Sequence, residues 1–451
     1  MERHYKIISH LSLLITILLA TACANTDYLS VIPENSTAIV SLDTKNINEK
    51  AASALLHGVL GAKDANSTGI DFSQKLYAFE TADGNFGFCA RIADSRNAED
   101  FFNSLANKSR CSKVEERDGL YFTDLNNSWA IAFSDEALVA VGPITASAIP
   151  EARLQIAKWF KQDEGIAETR MFETLDSITA PIALVAQAQA LPDKFAAPLT
   201  IGAPKDADPS EIMVAAGMKN NGTCLEITGR PFSFDKNIDK SIKESLKTFR
   251  SIKGTYASMP EYADIAVYAN VEGGKFLKVL QSNKSLQALL AGINTAIDMD
   301  NIIRSFDGDM AIYANSRSKT GIEVSMGAEA ANASWLKDVD YWRESCPSGC
   351  KLIPGKGCTN FIYQNGDNEY CFGISNGSKN FYFGSNKEQA EEIKKVPSKV
   401  SAALKKQIQG ERFVLIADLA KMSKGNGKVA MASNLLKPIF GNVKTIKYTL
   451  R

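Results

Sequence analysis

Apolar and polar positions alternate with a period of two over residues 37–42, TAIVSL, which predicts a strand. The period then lengthens. Asp43 and Thr44 are cap-type residues, and 46–60 reads as an amphipathic helix closed by Gly58 and Gly61. Residues 62–69 are polar and predict a loop. Strands follow at 75–80 and 85–92, joined at Asp83-Gly84, a strong hairpin signal. A helix is predicted over 97–106. A meander of strands follows at 119–124, 129–133 and 137–141, with turns at Asn126-Asn127 and Ser134-Asp135. Pro150 starts a helix reaching about residue 162. Residues 182–186 are strand-like, and 193–209, with three prolines, predict a loop. A hairpin over 212–219 and 223–228 turns at Asn221-Gly222. Ile238, Ile242, Leu246 and Phe249 carry a helix over 237–249.

The order then recurs. The opening YLSVIPENSTAIVSLD (28–43) is echoed by YASMPEYADIAVY (256–268), with Pro33 opposite Pro260 at an offset of 227. The strand pair at 75–92 matches 309–326 at about 234. Residues 111–122 match 350–361 without a gap at 239, which puts Cys350 opposite Cys111. Residues 182–186 match 413–417 at 231. A period this long means a duplicated domain, not a solenoid. The expected organisation is a segment at 1–22, a tether at 23–27, a first repeat at 27–250 and a second at 251–451. The expected class is α+β, each half a mainly antiparallel sheet with helices packed on one face. At the offset of 231, Arg451 falls opposite Asn220, so strand 443–450 has no hairpin mate of its own. It should form an edge or pair elsewhere.

The first 22 residues change the picture. Arg3 and Lys6 precede an apolar stretch at 7–20, too short to span a bilayer, and Ala20-Thr21-Ala22 leads to Cys23. This resembles a bacterial lipoprotein signal, in which the cut falls before the cysteine and Cys23 is lipidated. The usual leucine three residues before the cysteine is replaced by Ala20. An ordinary secretory signal cut near Ala22 is the competing reading. Either cut removes His4 and His10 and leaves His57 as the single histidine, which equips the chain poorly for histidine-dependent catalysis.

Lys+Arg and Asp+Glu are equal at 51 each, so no long-range field draws nucleic acid, and no nucleic-acid partner is expected. Residues 421–451 hold seven basic groups and no acid (Lys421, Lys424, Lys428, Lys437, Lys444, Lys447, Arg451). This is a solvated face or, alternatively, an anion-facing patch. Beyond Cys23 lie Cys89, Cys111, Cys224, Cys346, Cys350, Cys358 and Cys371. The cluster at 346–371 lacks the paired spacing of zinc ribbons and reads as one or two disulfides or as buried thiols.

The lipoprotein-like start, the opening Tyr28-Leu29-x-x-Ile32-Pro33 through Ala38–Leu42-Asp43, and the duplicated layout together resemble a family. These are Bacteroidales lipoproteins grouped under a numbered domain of unknown function. The resemblance covers nearly all the chain after the signal. It implies an envelope lipoprotein of α+β architecture, and carries no activity, substrate or catalytic residue.

Motifs that could carry chemistry fail on context. Gly373-Ile374-Ser375-Asn376-Gly377 matches the hydrolase elbow, but strands flank it and no histidine follows. Asp64-Ala65-Asn66-Ser67-Thr68-Gly69 opens like a calcium loop, yet position twelve, which needs a glutamate, is Lys75. Ser334-Trp335-Leu336-Lys337 fits S-x-x-K without its companion motifs, so Trp335 and Leu336 read as core. Asp307 and Asp309 could be paired carboxylates, although a turn uses such residues equally. His57 reads as a helix-end histidine, and Trp129 as core. No phosphate loop or dinucleotide fingerprint occurs. No catalytic, metal or cofactor site is expected. The expected function is a non-enzymatic envelope lipoprotein, membrane-anchored through Cys23. It holds an unidentified envelope protein or ligand, for instance in a groove between the halves. A carboxylate-dependent hydrolase or a structural part of an envelope complex are the alternatives.

Overall fold

A computed structural model describes residues 27–46, 66–191, 199–282, 297–316, 323–355, 360–366, 368–375, 379–424, 429–430, 437 and 440–451. The helix expected at 46–60, with His57, lies almost wholly outside these residues, and Cys23 and Cys358 lie outside them too. The chain divides into two compact units, Met1–Ala186 and Gln187–Arg451.

The first unit runs β1 (Ala38–Leu42), β2 (Leu76–Glu80), β3 (Phe86–Arg91), α1 (Ser95–Ala106), β4 (Glu115–Arg117), β5 (Leu120–Leu125), β6 (Trp129–Phe133), β7 (Ala137–Val141), α2 (Ile149–Trp159), α3 (Arg170–Asp176) and β8 (Ile182–Gln187). Its strands pair in the order β4-β5-β6-β7-β3-β2-β1-β8, all antiparallel. Local chemistry accounts for most of this. Asn126 and Asn127 both take positive φ between β5 and β6, a conformation their short amide side chains tolerate. Asp94 caps α1 by accepting from the N–H groups of Arg96 and Asn97.

Residues alternate between the two faces of this sheet. Leu76, Ala90, Ile131 and Phe133 share a core with Phe101, Phe102 and Leu105 of α1. Tyr77 and Phe79 point the other way, their rings 6.0 Å from Phe172 of α3 and 6.0 Å from Trp159 of α2. Helices therefore cover both faces, not the one face expected. β7 shows the reason: all five of its side chains are buried, so the strand needs cover on both sides.

The second unit comprises β9 (Met213–Asn221), β10 (Cys224–Phe232), α4 (Lys236–Leu246), β11 (Phe249–Arg250), β12 (Ile265–Glu272), α5 (Gly273–Ser282), α6 (Met299–Arg304), β13 (Phe306–Asn315), β14 (Glu323–Ala330), α7 (Val339–Glu344), β15 (Cys350–Pro354), β16 (Asn360–Asn365), β17 (Asn368–Ile374), β18 (Asn380–Gly384), α8 (Lys387–Lys395), α9 (Ala402–Ile408), β19 (Phe413–Asp418), α10 (Leu419–Met422) and β20 (Thr445–Leu450). The order is β15-β16-β17-β18-β14-β13-β12-β19-β20-β10-β9, with β11 on the far end of β12. Every pairing is antiparallel except β10–β20. The C-terminal strand is thus held on both sides. One face of the sheet carries α5, α6 and the stacked pair Trp335–Trp342; the other carries Tyr256, α8 and Ile408 of α9. The architecture is α+β with mainly antiparallel sheets, as expected. The β9–β10 hairpin falls in the second unit, where β10 pairs with β20.

Candidate functional site

Most residues that the sequence singles out are committed to structure. Asp309 is 1% exposed. Its carboxylate accepts from the backbone N–H groups of Lys253 (2.9 Å), Gly254 (2.6 Å) and Thr255 (2.9 Å), and from the Asn270 amide (2.7 Å). Glu329 completes the knot, accepting from the Asp309 N–H at 2.8 Å and the Thr255 hydroxyl at 2.9 Å. The carboxylates most suited to acid–base work therefore anchor the loop ahead of Tyr256. Asp307 lies outside the knot and pairs with Arg250 at 2.7 Å. So Asp309 is not a turn residue, as its neighbours Gly308 and Asp307 suggest, but a buried anion in a nest of donors.

The remaining candidates are equally occupied. Trp335 is fully buried, its ring parallel to Trp342. Gly373 and Ile374 end β17, and Ser375 follows with its N–H on the Asn380 carbonyl, so this serine sits at a strand end; Asn376 and Gly377 lie outside the described residues. Lys75 pairs with Asp176 at 3.0 Å. Trp129 packs against the α1 core. Cys89 and Cys371 are buried, Cys111, Cys224, Cys346 and Cys350 half-buried, and all six are free thiols. In the basic tail, Lys421 caps the carbonyls of Glu261 and Ala263, and Lys447 reaches Glu226. Among the described residues no group of three His, Cys, Asp or Glu could hold a metal ion. No helix among them is long and apolar enough to cross a membrane.

A concave feature of the first unit lies between α2 and the β4–β5 hairpin, a cavity of about 650 Å³. The hairpin turns at Asp118-Gly119, both with positive φ. Leu120 and Phe122 form the sheet wall, and Ile149, Pro150, Leu154 and Ala157 the helix wall. Leu154 is 68% exposed. Arg153 of α2 ties the walls together. Arg153 donates from Nε and Nη2 to the two oxygens of Asp124, at 2.9 and 2.7 Å. Both side chains are largely buried, and the guanidinium lies 6.0 Å from the Phe122 ring. Glu115 accepts from Arg153 at 3.4 Å and from Arg117 at 2.8 Å. A fork-on-carboxylate pair of this kind positions rather than reacts, since each charge is already satisfied. Lys161, exposed at the mouth, enters no ion pair among the described residues. On the other flank of α2 is a smaller cavity of about 230 Å³, near Thr81, Glu151 and Trp159.

Sequence reasoning did not single out this groove. Leu154 reads as one helical position among others, and β4, with three exposed charged residues, has no apolar alternation to betray a strand.

The sequence model of a domain of unknown function, DUF4836, matches residues 46–410. The chain belongs to the DUF4836 family. The family description specifies no activity, which leaves the DUF4836 chain to be read from its own geometry. No curated protein matches it. Among solved structures, crystal form I of TP0453 is similar over 84% of this chain and 99% of that one, at 8% identity and a TM-score of 0.25. A likeness this slight carries no argument.

Proposed function

We propose that this DUF4836 protein is an envelope lipoprotein, anchored through Cys23, that binds a small ligand in the α2 groove without chemical turnover. One observation carries the reading: an open cavity of about 650 Å³ with an apolar wall whose inner charges already satisfy one another. Binding pockets are of this size and make-up. The ligand has an apolar body, which covers Leu154, and its polar end meets Lys161. The signal-like start and the family resemblance support the anchor.

The groove is tested with 1-anilinonaphthalene-8-sulfonate, an apolar ring system bearing one anion. The folded protein should bind it, and Leu154→Glu should weaken binding about tenfold with an unchanged circular dichroism spectrum. Equal binding by both proteins removes the groove from consideration. Labelling of cells with a palmitate analogue, lost in Cys23→Ala, tests the anchor separately.

We further propose that the two halves are copies of one unit, and the strand registers support this, because the sequence offsets carry paired residues onto paired residues. Ile39 faces Phe79 on one side and Val185 on the other. The sequence offsets of 227, 234 and 231 carry these to Ala266, Tyr313 and Ile416, and Ala266 faces Tyr313 and Ile416. The offset of 239 carries Glu115↔Phe122 to Pro354↔Phe361, again an observed pair. The strand order β8-β1-β2-β3-β7-β6-β5-β4 recurs as β19-β12-β13-β14-β18-β17-β16-β15.

A further inference from the structure

We propose that Cys346 and Cys350 are a redox pair that closes into a disulfide and fastens the turn leading into edge strand β15. The turn brings them together. In Cys346-Pro347-Ser348-Gly349-Cys350, the Cys350 N–H donates to the Pro347 carbonyl at 2.9 Å, and Gly349 supplies the positive φ of +88° that this turn needs. The chain therefore doubles back within five residues. Both cysteines are half-buried and pack on the margin of the same core, the one that holds Trp335, Trp342 and Leu352. Burial, and then the neighbouring Cys350 thiol, raise the pKa of Cys346.

The other described cysteines are poorer partners. Cys371 belongs to the core on the opposite face of the sheet, its sulfur directed to Glu369. Cys89 is buried in the first unit, its sulfur donating to the Tyr28 carbonyl. A ring this small constrains few residues, so the bond stabilises the fold only modestly and stays reducible. That suits a switch better than a structural staple.

The oxidant is a disulfide, either low-mass or carried by an oxidoreductase. One protein thiolate attacks it, forming a mixed disulfide and releasing one thiolate. The second cysteine then attacks the protein-side sulfur, forming Cys346–Cys350 and releasing the second thiolate. The protein gives up two protons and two electrons, and the oxidant disulfide becomes two thiols.

The test is thiol mapping of the full chain after equilibration with mixtures of reduced and oxidised glutathione. Free thiols are alkylated under denaturing conditions, and the unreduced digest is weighed. The peptide spanning 346–350 should escape alkylation and be lighter by two hydrogens, in a mixture that leaves Cys89, Cys111, Cys224 and Cys371 alkylated. Cys350→Ser should abolish this species and Cys371→Ser should leave it. In the oxidised protein, amides over 345–352 should exchange more slowly, by about threefold. Alkylation of Cys346 and Cys350 in step with Cys111, or a bond from either of them to Cys358 or to another chain, overturns the proposal.

Discussion

Asp309 shows how a single side chain can look catalytic and be structural. A buried carboxylate survives only where donors replace its lost water, and here three backbone N–H groups and an amide do so. Asp309→Ala should cost about 3 kcal/mol in urea unfolding, because it strands those donors. Hydrogen exchange should rise first in 252–256. Arg153 is the corresponding residue of the groove. Arg153→Lys keeps the charge but loses the two-pronged contact with Asp124, so it should destabilise nearly as much as Arg153→Ala, about 1 kcal/mol for this partly buried pair. Full rescue by lysine in thermal unfolding would show that charge alone holds α2. Neither role could be read from the amino acids themselves. An aspartate after a glycine is a turn signal, and what makes Asp309 an anchor is a loop more than 50 positions earlier in the chain.

Among the elements, the regular ones were legible. Hairpins announced by Asp83-Gly84, Asn126-Asn127 and Asn221-Gly222 all form, since these residues accept the backbone geometry of a tight turn at little cost. The helix expected over 237–249 instead ends at Leu246, and Phe249 opens β11. Its ring packs edge-on against Phe276 and Phe413, a tertiary contact that outweighs helical spacing. β20 is the sharper case: its alternation predicts a strand, while its parallel partner β10 is more than 200 residues away. Tyr448 of β20 is buried, and its hydroxyl has no hydrogen-bond partner among the described residues. Tyr448→Ala should therefore cost about 3–4 kcal/mol. Tyr448→Phe should be neutral or slightly stabilising, since it removes only an unsatisfied group. A large loss with phenylalanine, measured by urea denaturation, would mean that the hydroxyl is bonded after all.

Across the whole molecule, buried tyrosines set a limit on alkaline stability. Burial pushes the hydroxyls of Tyr268, Tyr313 and Tyr448 well above their ordinary value, and moves Tyr382 up to about 12 and the Cys371 thiol up to about 11. The folded state thus holds protons that the unfolded chain releases near pH 10. Stability from this source is complete below that pH and is lost as pH rises towards the raised values. Tyrosine absorbance should show a major fraction ionising only together with loss of structure. A smooth titration near pH 10 with the fold intact would contradict the burial.

The α+β class, the hairpins and the expected export signal all came from local composition and spacing, because turn chemistry and apolar periodicity act over a few residues. Helices on both faces, the β10–β20 pairing, the Asp309 anchor and the Leu154 groove depend on contacts between distant segments. Their free energy resides in packing and desolvation, which no local window of sequence contains.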